Sequence, residues 1–354
     1  MTPAAPASPV EWPDAARRQV FDHWLATIGP ALGLLPGSLR IASSDASFRR
    51  YLRIDDRGGA SHIVMDAPPA HEDVRPFMAV AAMFEDAGLN APRVLRHDST
   101  NGFLLLTDLG TQDYLSTLMA LLERGEQPRA DRLMRDAIVA LVQWQVRADA
   151  SLLPAYDEAL LRRELALFPD WCLARECGRS WAADEQQQWQ EACDLLVRSA
   201  LAQPTVAVHR DYMPRNLMVC ERNPGILDFQ DAVRGPISYD LASLLRDAFL
   251  TWDEEFEIDW AVRYWEAARK AGLPVPDDFG SFWQQLEWMG LQRHLKVLGI
   301  FSRLKHRDGK ARYAADLPRF YAYAHKAASR YNALRPLARL LEPLMGAQRT
   351  EVFY

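Results

Sequence analysis

The pattern of apolar residues changes near Asp108, and this change limits the possible folds. Before it, short alternating segments predict five strands, at residues 39–41, 50–54, 62–65, 94–96 and 103–106. Helical spacing also predicts helices there, at residues 14–35 and 73–87. After it, long helical patterns dominate, at residues 114–123, 132–149 and 184–202. The chain is therefore predicted to adopt a bilobal α+β fold, with a small antiparallel sheet and a mainly helical second lobe.

The same pattern predicts the domain boundaries. We expect a loose N-terminal tail at residues 1–12, a small N-lobe at 13–106, a hinge at 107–111 and a helical C-lobe at 112–354. Gly29 and Pro30 are expected to end the first helix. Residues 206–208 and 217–219 are β-like segments on either side of a polar stretch, and we predict that they form a hairpin holding a loop.

Composition excludes several classes of partner. The net charge of −6 argues against nucleic acid and anionic membranes, which are normally met by a basic surface. The four cysteines include no C-x-x-C pair, so neither a zinc site nor a disulfide framework is expected. No segment has the pattern of a signal peptide or a transmembrane span. We therefore expect a cytoplasmic protein.

Two short motifs, one after the other along the chain, contain the candidate catalytic residues. Residues 209–216 read HRDYMPRN, which fits H-R-D-x-x-x-x-N, and residues 227–231 read LDFQD, in the position of a D-F-G segment. Phosphoryl transfer needs a carboxylate that orients the attacking hydroxyl, and oxygen ligands for Mg²⁺ on the nucleotide phosphates. Asp211 suits the first role, and Asn216 and Asp228 suit the second.

Two neighbours complete this prediction. Arg215, next to Asn216, is assigned to the catalytic set, and His209 is expected to brace the loop by hydrogen bonds. The alternative is that the polar residues only cap turns and end strands. That alternative does not explain why they occur in this order between two β-like segments.

The motifs resemble the eukaryotic-like kinase superfamily, in its aminoglycoside phosphotransferase branch, over nearly the whole chain. The branch implies a bilobal kinase fold. A protein kinase would carry a long activation segment and an A-P-E motif after D-F-G. Here residues 239–245 read YDLASLL, a predicted helix, and follow within a dozen residues of Asp228. A small hydroxyl-bearing substrate is therefore expected rather than a peptide.

Four segments are also similar to the bacterial anomeric N-acetylmuramate/N-acetylglucosamine kinases of cell-wall recycling. They read DASFRRY at 45–51, MDAPP at 65–69, LTDLG at 106–110 and DFQDA at 228–232. The resemblance implies ATP and Mg²⁺ as cofactors and the C1 hydroxyl of the amino sugar as the acceptor. It also implies that a sugar-1-phosphate uridylyltransferase receives the product.

The chain departs from the kinase pattern at the phosphate-binding lysine. No lysine precedes Lys270, and Met65 or a neighbour occupies the usual place on the third strand. We hypothesise that an arginine of the second strand supplies the cation. Arg49 and Arg50 point to opposite faces, so only one of them faces the nucleotide, and Arg50 is our prediction.

The remaining nucleotide contacts are predicted from local composition. Ser44, Asp45 and Ser47 lie in a turn of small residues whose N–H and hydroxyl groups can approach phosphates. Leu106 and Asp108 lie where an apolar strand becomes a polar turn, a pattern that suits a hinge reading the adenine edge through its backbone.

The acceptor site is predicted from charged residues of the C-lobe. Glu164, Asp231 and Arg234 are candidates for hydroxyl or amide contacts. The lactyl carboxylate of N-acetylmuramate requires a cation, and Arg303 is our prediction from a basic helical stretch that also contains Arg293, His294 and Lys296. Solvated surface charge is the alternative for each residue.

Two other functions stay open at this point. The first keeps the chemistry and changes the acceptor to an aminoglycoside, choline or homoserine. A pseudokinase that binds nucleotide or sugar without catalysis would explain the missing lysine, but it has no chemical need for Asp211, Asn216 and Asp228 together.

Overall fold

The computed structural model describes residues 10–12, 14–44 and 48–345, with only the backbone of Ser44. These residues form two compact units. Unit 1 comprises the chain up to Asp113 together with Met218–Asp231, and unit 2 comprises Tyr114–Leu217 and the chain from Ala232 onward. A five-stranded sheet in unit 1 and a mainly helical unit 2 confirm the predicted α+β class.

Unit 1 contains two helices and one antiparallel sheet. Helix α1 spans Ala15–Leu32 and helix α2 spans Arg75–Asp86. The sheet has the spatial order β1-β2-β3-β5-β4, with the strands β1 (Arg40–Ser44), β2 (Arg50–Asp55), β3 (Ser61–Asp66), β4 (Val94–Asp98) and β5 (Phe103–Thr107). All five predicted strands are present, most of them one or two residues longer than expected.

Helix α1 does not end at Pro30, so that prediction is wrong. The helix continues to Leu32, and Gly33 follows with a φ of 66°. The N–H of Leu34 donates to the carbonyl oxygen of Gly29 at 3.0 Å, which closes the helix with a Schellman-type cap. The missing N–H of Pro30 removes one helical hydrogen bond, and only two helical residues follow it.

Helix α1 packs on one face of the sheet. Cross-strand partners share a face, and the partners Leu52, Val64 and Leu105 pack under Phe21 and Trp24 of α1. We call this the α1 face. Each fully buried side chain of this kind contributes about 1.5–3 kcal/mol to folding. The pairs Met65 with Leu104 and Ile63 with Leu106 lie on the opposite face.

Unit 2 is built around one long helix. The helices of unit 2 are α3 (Tyr114–Glu123), α4 (Gln127–Arg147), α5 (Glu158–Leu167), α6 (Ala183–Leu201), α7 (Tyr239–Leu245), α8 (Glu254–Lys270), α9 (Phe279–His306), α10 (Leu317–Arg330) and α11 (Arg335–Leu341). The long helix α9 packs against α5, α6, α7, α10 and a π-helical segment at Phe168–Glu176. None of the helices in the described ranges is both long and apolar enough to cross a membrane.

The predicted hairpin at residues 206–219 is wrong. Strand β6 (Thr205–Val208) pairs with β9 (Val233–Pro236), and β7 (Leu217–Met218) pairs with β8 (Gly225–Ile226). The true partner of β6 lies 25 residues further along the chain, beyond the reach of a local pattern.

The segment Met218–Asp231 belongs to unit 1, whereas the sequence analysis placed it in the C-lobe. Backbone bonds account for the difference. The N–H of Val219 donates to the carbonyl oxygen of Gln112, and that of Ile226 donates to Asn90, both at 2.8 Å.

Candidate active site

The predicted catalytic loop begins where β6 ends at Val208. The backbone N–H groups of His209 and Arg210 donate to the two carboxylate oxygens of Asp240, at 2.7 and 2.9 Å. Arg210 has a φ of 75°, a left-handed conformation that costs an L-residue about 1–2 kcal/mol. Asp240 of α7 therefore holds the backbone that leads into Asp211.

The buried ring of His209 contacts the loop backbone. Its Nδ1 accepts the N–H of Asp211 at 3.2 Å, and the ring meets Tyr212 edge-on, with centroids 5.6 Å apart. The hydroxyl of Tyr212 donates to the carbonyl oxygen of Ala137 in α4 at 2.8 Å. These contacts tie the loop to a long helix.

Asn216 lies beside Asp211. Its Nδ2 donates to the backbone carbonyl oxygen of Asp211 at 2.9 Å, which directs its Oδ1 to the other side. Arg215 is exposed, and its guanidinium lies 5.4 Å from the centre of the Phe249 ring. The structure thus brings Asp211 and Asn216 together and places Arg215 against an aromatic ring.

Glu164 of α5 forms the centre of a buried charge cluster. Its carboxylate accepts from Arg210 Nη2 at 2.7 Å and from Lys296 Nζ at 2.8 Å. Burial alone would raise the pKa of Glu164. The ammonium of Lys296 and the guanidinium of Arg210 outweigh burial, so the pKa of Glu164 lies below its usual value. Glu164 is therefore ionised at neutral pH.

The two arginines predicted for the acceptor site have other environments. Arg234 has an exposed side chain on β9, where its backbone pairs with Pro154 and Tyr156. Arg303 lies on α9, two helical turns or about 10 Å beyond Lys296. Burial and the charge of Arg307 lower the pKa of Arg303.

In unit 1, Asp228 follows β8 with a φ of 62°. The Nε2 of Gln230 donates to the carboxylates of Asp228 and Asp231, at 3.0 and 3.3 Å. Phe229 is buried between Phe77 and Phe84 of α2, at centroid distances of 4.7 and 5.1 Å. Packing of Phe229 therefore fixes the backbone on which Asp228 is carried.

The structure describes only some of the residues that were predicted to bind the nucleotide. Asp45 and Ser47 lie outside the described residues, and Ser44 is the last residue of β1. Leu106 is buried in β5. The carboxylate of Asp108 accepts from Arg53 Nε at 2.5 Å and from Ser61 at 2.7 Å.

Burial would raise the pKa of Asp108, but these donors and the N–H of Gly110 hold it below its usual value. The Asp108 side chain therefore fixes the turn. Recognition of the adenine edge, as predicted from the sequence, would then fall to the backbone of this segment.

The structure places Arg50, the residue predicted to supply the phosphate-binding cation, on the α1 face of the sheet. Arg50 pairs across the strands with Asp66 on the α1 face, where its Nε donates to Asp66 Oδ2 at 3.0 Å. Arg17 of α1 binds the other oxygen of Asp66 at 2.5 Å. Arg50 also lies over Trp12 and donates to the carbonyl oxygen of Glu11. Its guanidinium thus fastens α1 and the preceding chain to the sheet, on the face opposite to Leu106.

Arg49 forms a different ion pair. Its Nη2 lies 2.9 Å from Oε2 of Glu72, which precedes helix α2, and both side chains are mostly buried. This pair joins the start of β2 to the segment before a helix. A glutamate thus pairs with Arg49 as a glutamate pairs with the phosphate-binding lysine of kinases, although Arg49 precedes β2 and Glu72 precedes α2.

Residues 38–279 match the phosphotransferase enzyme family, which is more than half of the chain. The chain belongs to this family. The resemblance seen in the motifs is thereby confirmed.

Relatives and solved structures extend the similarity. The N-acetylmuramate/N-acetylglucosamine kinase of Pseudomonas aeruginosa is 50% identical, over 94% of this chain and 98% of that protein. The kinase of the same name from Neisseria meningitidis is 46% identical, over 95% and 98%. Amicoumacin kinase, solved with AMP-PNP and Ca²⁺, shares the fold with a TM-score of 0.56 at 14% identity, over 87% of this chain and 94% of that one.

The donor set of the phosphotransferase fits Mg²⁺. In the described ranges, no group of three or more His, Cys, Asp or Glu side chains is placed to hold a metal ion. Mg²⁺ normally keeps several waters and uses one or two carboxylates together with substrate phosphates. The amide oxygen of Asn216 and the carboxylate of Asp228 are each hard oxygen donors of the kind that Mg²⁺ prefers.

Sequence reasoning missed two residues. Glu72 lies before the periodic part of α2, so helical spacing does not mark it. Asp240 stands within the apolar run of α7, where a fully buried carboxylate is unusual, and that signal was available in the sequence.

Proposed function

We propose that the phosphotransferase is an ATP-dependent kinase that phosphorylates the C1 hydroxyl of N-acetylmuramate and N-acetylglucosamine. The observation that carries this proposal is the similarity to two kinases of that name, at 50% and 46% identity over nearly the whole of each chain. The acceptor carbon follows from the resemblance of the four short segments to anomeric kinases.

Asp211 is the proposed catalytic residue. Its carboxylate orients the anomeric hydroxyl and accepts its proton as the oxygen attacks the γ-phosphoryl group. An anomeric hydroxyl is more acidic than an ordinary alcohol, so positioning and charge neutralisation supply most of the catalysis. The bonds from His209 and Asn216 to the Asp211 backbone support this positioning.

ATP and Mg²⁺ are the proposed cofactors, with Asn216 and Asp228 as metal ligands. Bound Mg²⁺ neutralises charge on the nucleotide phosphates. Arg49 replaces Arg50 as the proposed phosphate-binding cation, because Glu72 holds its guanidinium as a helix glutamate holds the kinase lysine. The backbone at Leu106 and Asp108 is proposed to read the adenine edge.

The product would be a sugar 1-phosphate. We propose that a sugar-1-phosphate uridylyltransferase consumes it and that the enzyme works in the cytoplasm, where ATP and UTP are available.

A coupled ADP-release assay tests the function. Wild-type protein with ATP and Mg²⁺ is expected to turn over both amino sugars, to give an acid-labile phosphate and to stop when EDTA is added. Asp211→Asn should lower kcat by at least about 100-fold. Turnover only on kanamycin, choline or homoserine would replace the substrate, and nucleotide binding without any turnover would indicate a pseudokinase.

A further inference from the structure

The carboxylate of Glu164 has no hydrogen-bond acceptor position left. Oε1 of Glu164 receives Arg210 and Lys296, and Oε2 receives the hydroxyl of Tyr156 and the Nε2 of Gln292. A carboxylate offers about four acceptor positions, so these four donors fill Glu164. Glu164 is therefore a positioning residue rather than the sugar contact expected from the sequence.

The cluster has an excess of positive charge. Arg210 and Lys296 carry two positive charges against the single charge of Glu164. Burial raises the pKa of Tyr156 well above its usual value, so this phenol stays neutral. The next carboxylate that interacts electrostatically with both cations is Asp211, and within the described chain no direct ion pair joins it to either.

Lys296 and Arg210 also have N–H groups that these hydrogen bonds do not use. The side chain of Glu164 is only 6% exposed, whereas those of Lys296 and Arg210 are 12% and 20% exposed. Lys296 uses one proton for Glu164 and one for the hydroxyl of Tyr239 at 3.0 Å, which leaves a third. The Nε of Arg210 is buried and has no hydrogen-bond partner among the residues that the structure describes.

We infer that Lys296 and Arg210 form a subsite for a carboxylate beside Asp211, and that it binds the lactyl group of N-acetylmuramate. This inference rests on the proposed function. The lactyl group is carried on C3, two ring carbons from the C1 hydroxyl, so a sugar positioned on Asp211 brings its carboxylate to the same side of unit 2. N-acetylglucosamine lacks this group, which makes Lys296 a determinant of the preference between the two sugars.

The test is the ratio of kcat/KM for N-acetylmuramate to kcat/KM for N-acetylglucosamine. Lys296→Met removes the charge and retains the length of the side chain, and it is expected to lower this ratio about tenfold or more. Lys305→Met is the matched control, because Lys305 lies on α9 like Lys296 and pairs at 2.8 Å with a glutamate of another segment, Glu176. It should leave the ratio unchanged.

A substrate analogue separates recognition from structural damage. The carboxamide of N-acetylmuramate should be a poorer substrate than the acid for wild type by a similar factor, and Lys296→Met should not distinguish the two. Equal losses on both sugars, or the same acid-to-amide preference in the variant, would overturn the inference.

If Arg303→Met lowered the ratio and Lys296→Met did not, the subsite would be assigned to Arg303. That result would also overturn the inference. Failure of the wild type on both sugars would instead refute the proposed function, and the inference with it.

Discussion

The carboxylate of Asp240 holds the backbone of Arg210 in a left-handed conformation. Its two oxygens accept the N–H groups of His209 and Arg210, which directly follow strand β6. Burial raises the pKa of Asp240 to about 7, although these bonds and the charge of Arg293 oppose it. A titratable group thus lies directly behind the catalytic loop.

Replacement of Asp240 should have a pH-dependent effect on stability. Because the folded pKa is raised from 3.8, the contribution of Asp240 to the free energy of unfolding is complete below pH 3.8 and is lost as the pH rises to about 7. The difference between wild type and Asp240→Asn should therefore fall by up to about 1.4 kcal/mol per pH unit between pH 5 and 7. Urea denaturation at pH 5, 6, 7 and 8 measures it, and a difference that grows with pH would contradict the assignment.

Nucleotide affinity should separate the two neighbouring arginines. Arg49→Ala is expected to weaken ATP binding about tenfold or more, because a charge-assisted phosphate contact is lost. Glu72→Gln should weaken it less, since the guanidinium remains but is no longer held.

Arg50→Ala serves as the comparison, because its guanidinium lies on the α1 face with Asp66. Its ATP affinity should stay within about threefold of wild type. Fluorescence titration with a labelled nucleotide gives the dissociation constants, and a larger loss in Arg50→Ala than in Arg49→Ala would restore the original prediction.

These two arginines also illustrate what the sequence can and cannot give. Alternation along a strand predicts that Arg49 and Arg50 point to opposite faces, and in the structure they form different ion pairs, with Glu72 and Asp66. It does not say which face helix α1 covers, because that depends on Asp66, Arg17 and Phe103 from three other elements. Local periodicity likewise predicted helices Tyr114–Glu123 and Tyr239–Leu245 with the observed bounds, but it could not find the distant partner of β6.

The catalytic motifs were recoverable because their residues are close in sequence. Asp211 and Asn216 are five residues apart, so a loop pattern specifies their relationship. Lys296 reaches Glu164 from 132 residues away, through the packing of α9 on α5, and no short pattern encodes that contact.

The buried guanidinium of Arg246 should be important for stability. Its Nε lies 3.1 Å from Glu257 and its Nη2 lies 3.3 Å from Glu287. Arg246→Met would leave these two carboxylates without that cation, so the free energy of unfolding should fall by about 3–5 kcal/mol. Arg263→Met removes an exposed pair with Asp259 on α8 and should cost less than about 1 kcal/mol. Similar losses in both variants would argue against a role for burial.

Gly299 of α9 allows the backbone of α5 to approach closely. A Cβ added at Gly299 would lie 2.4 Å from the carbonyl carbon and oxygen of Leu167, where α5 gives way to the π-helical segment. Backbone atoms cannot move aside as a flexible side chain can, so Gly299→Ala should lower the free energy of unfolding by about 1–3 kcal/mol.

The control for this substitution is Gly37→Ala, which meets no heavy atom within 4 Å and should change stability by less than about 0.5 kcal/mol. Thermal or urea denaturation of the two variants measures the difference. Because α9 also carries Lys296, Gly299→Ala should in addition shift the preference between the two amino sugars more than Gly37→Ala does. If Gly299→Ala were as stable as wild type, that result would contradict the close approach of Gly299 in α9 to the backbone of Leu167 in α5.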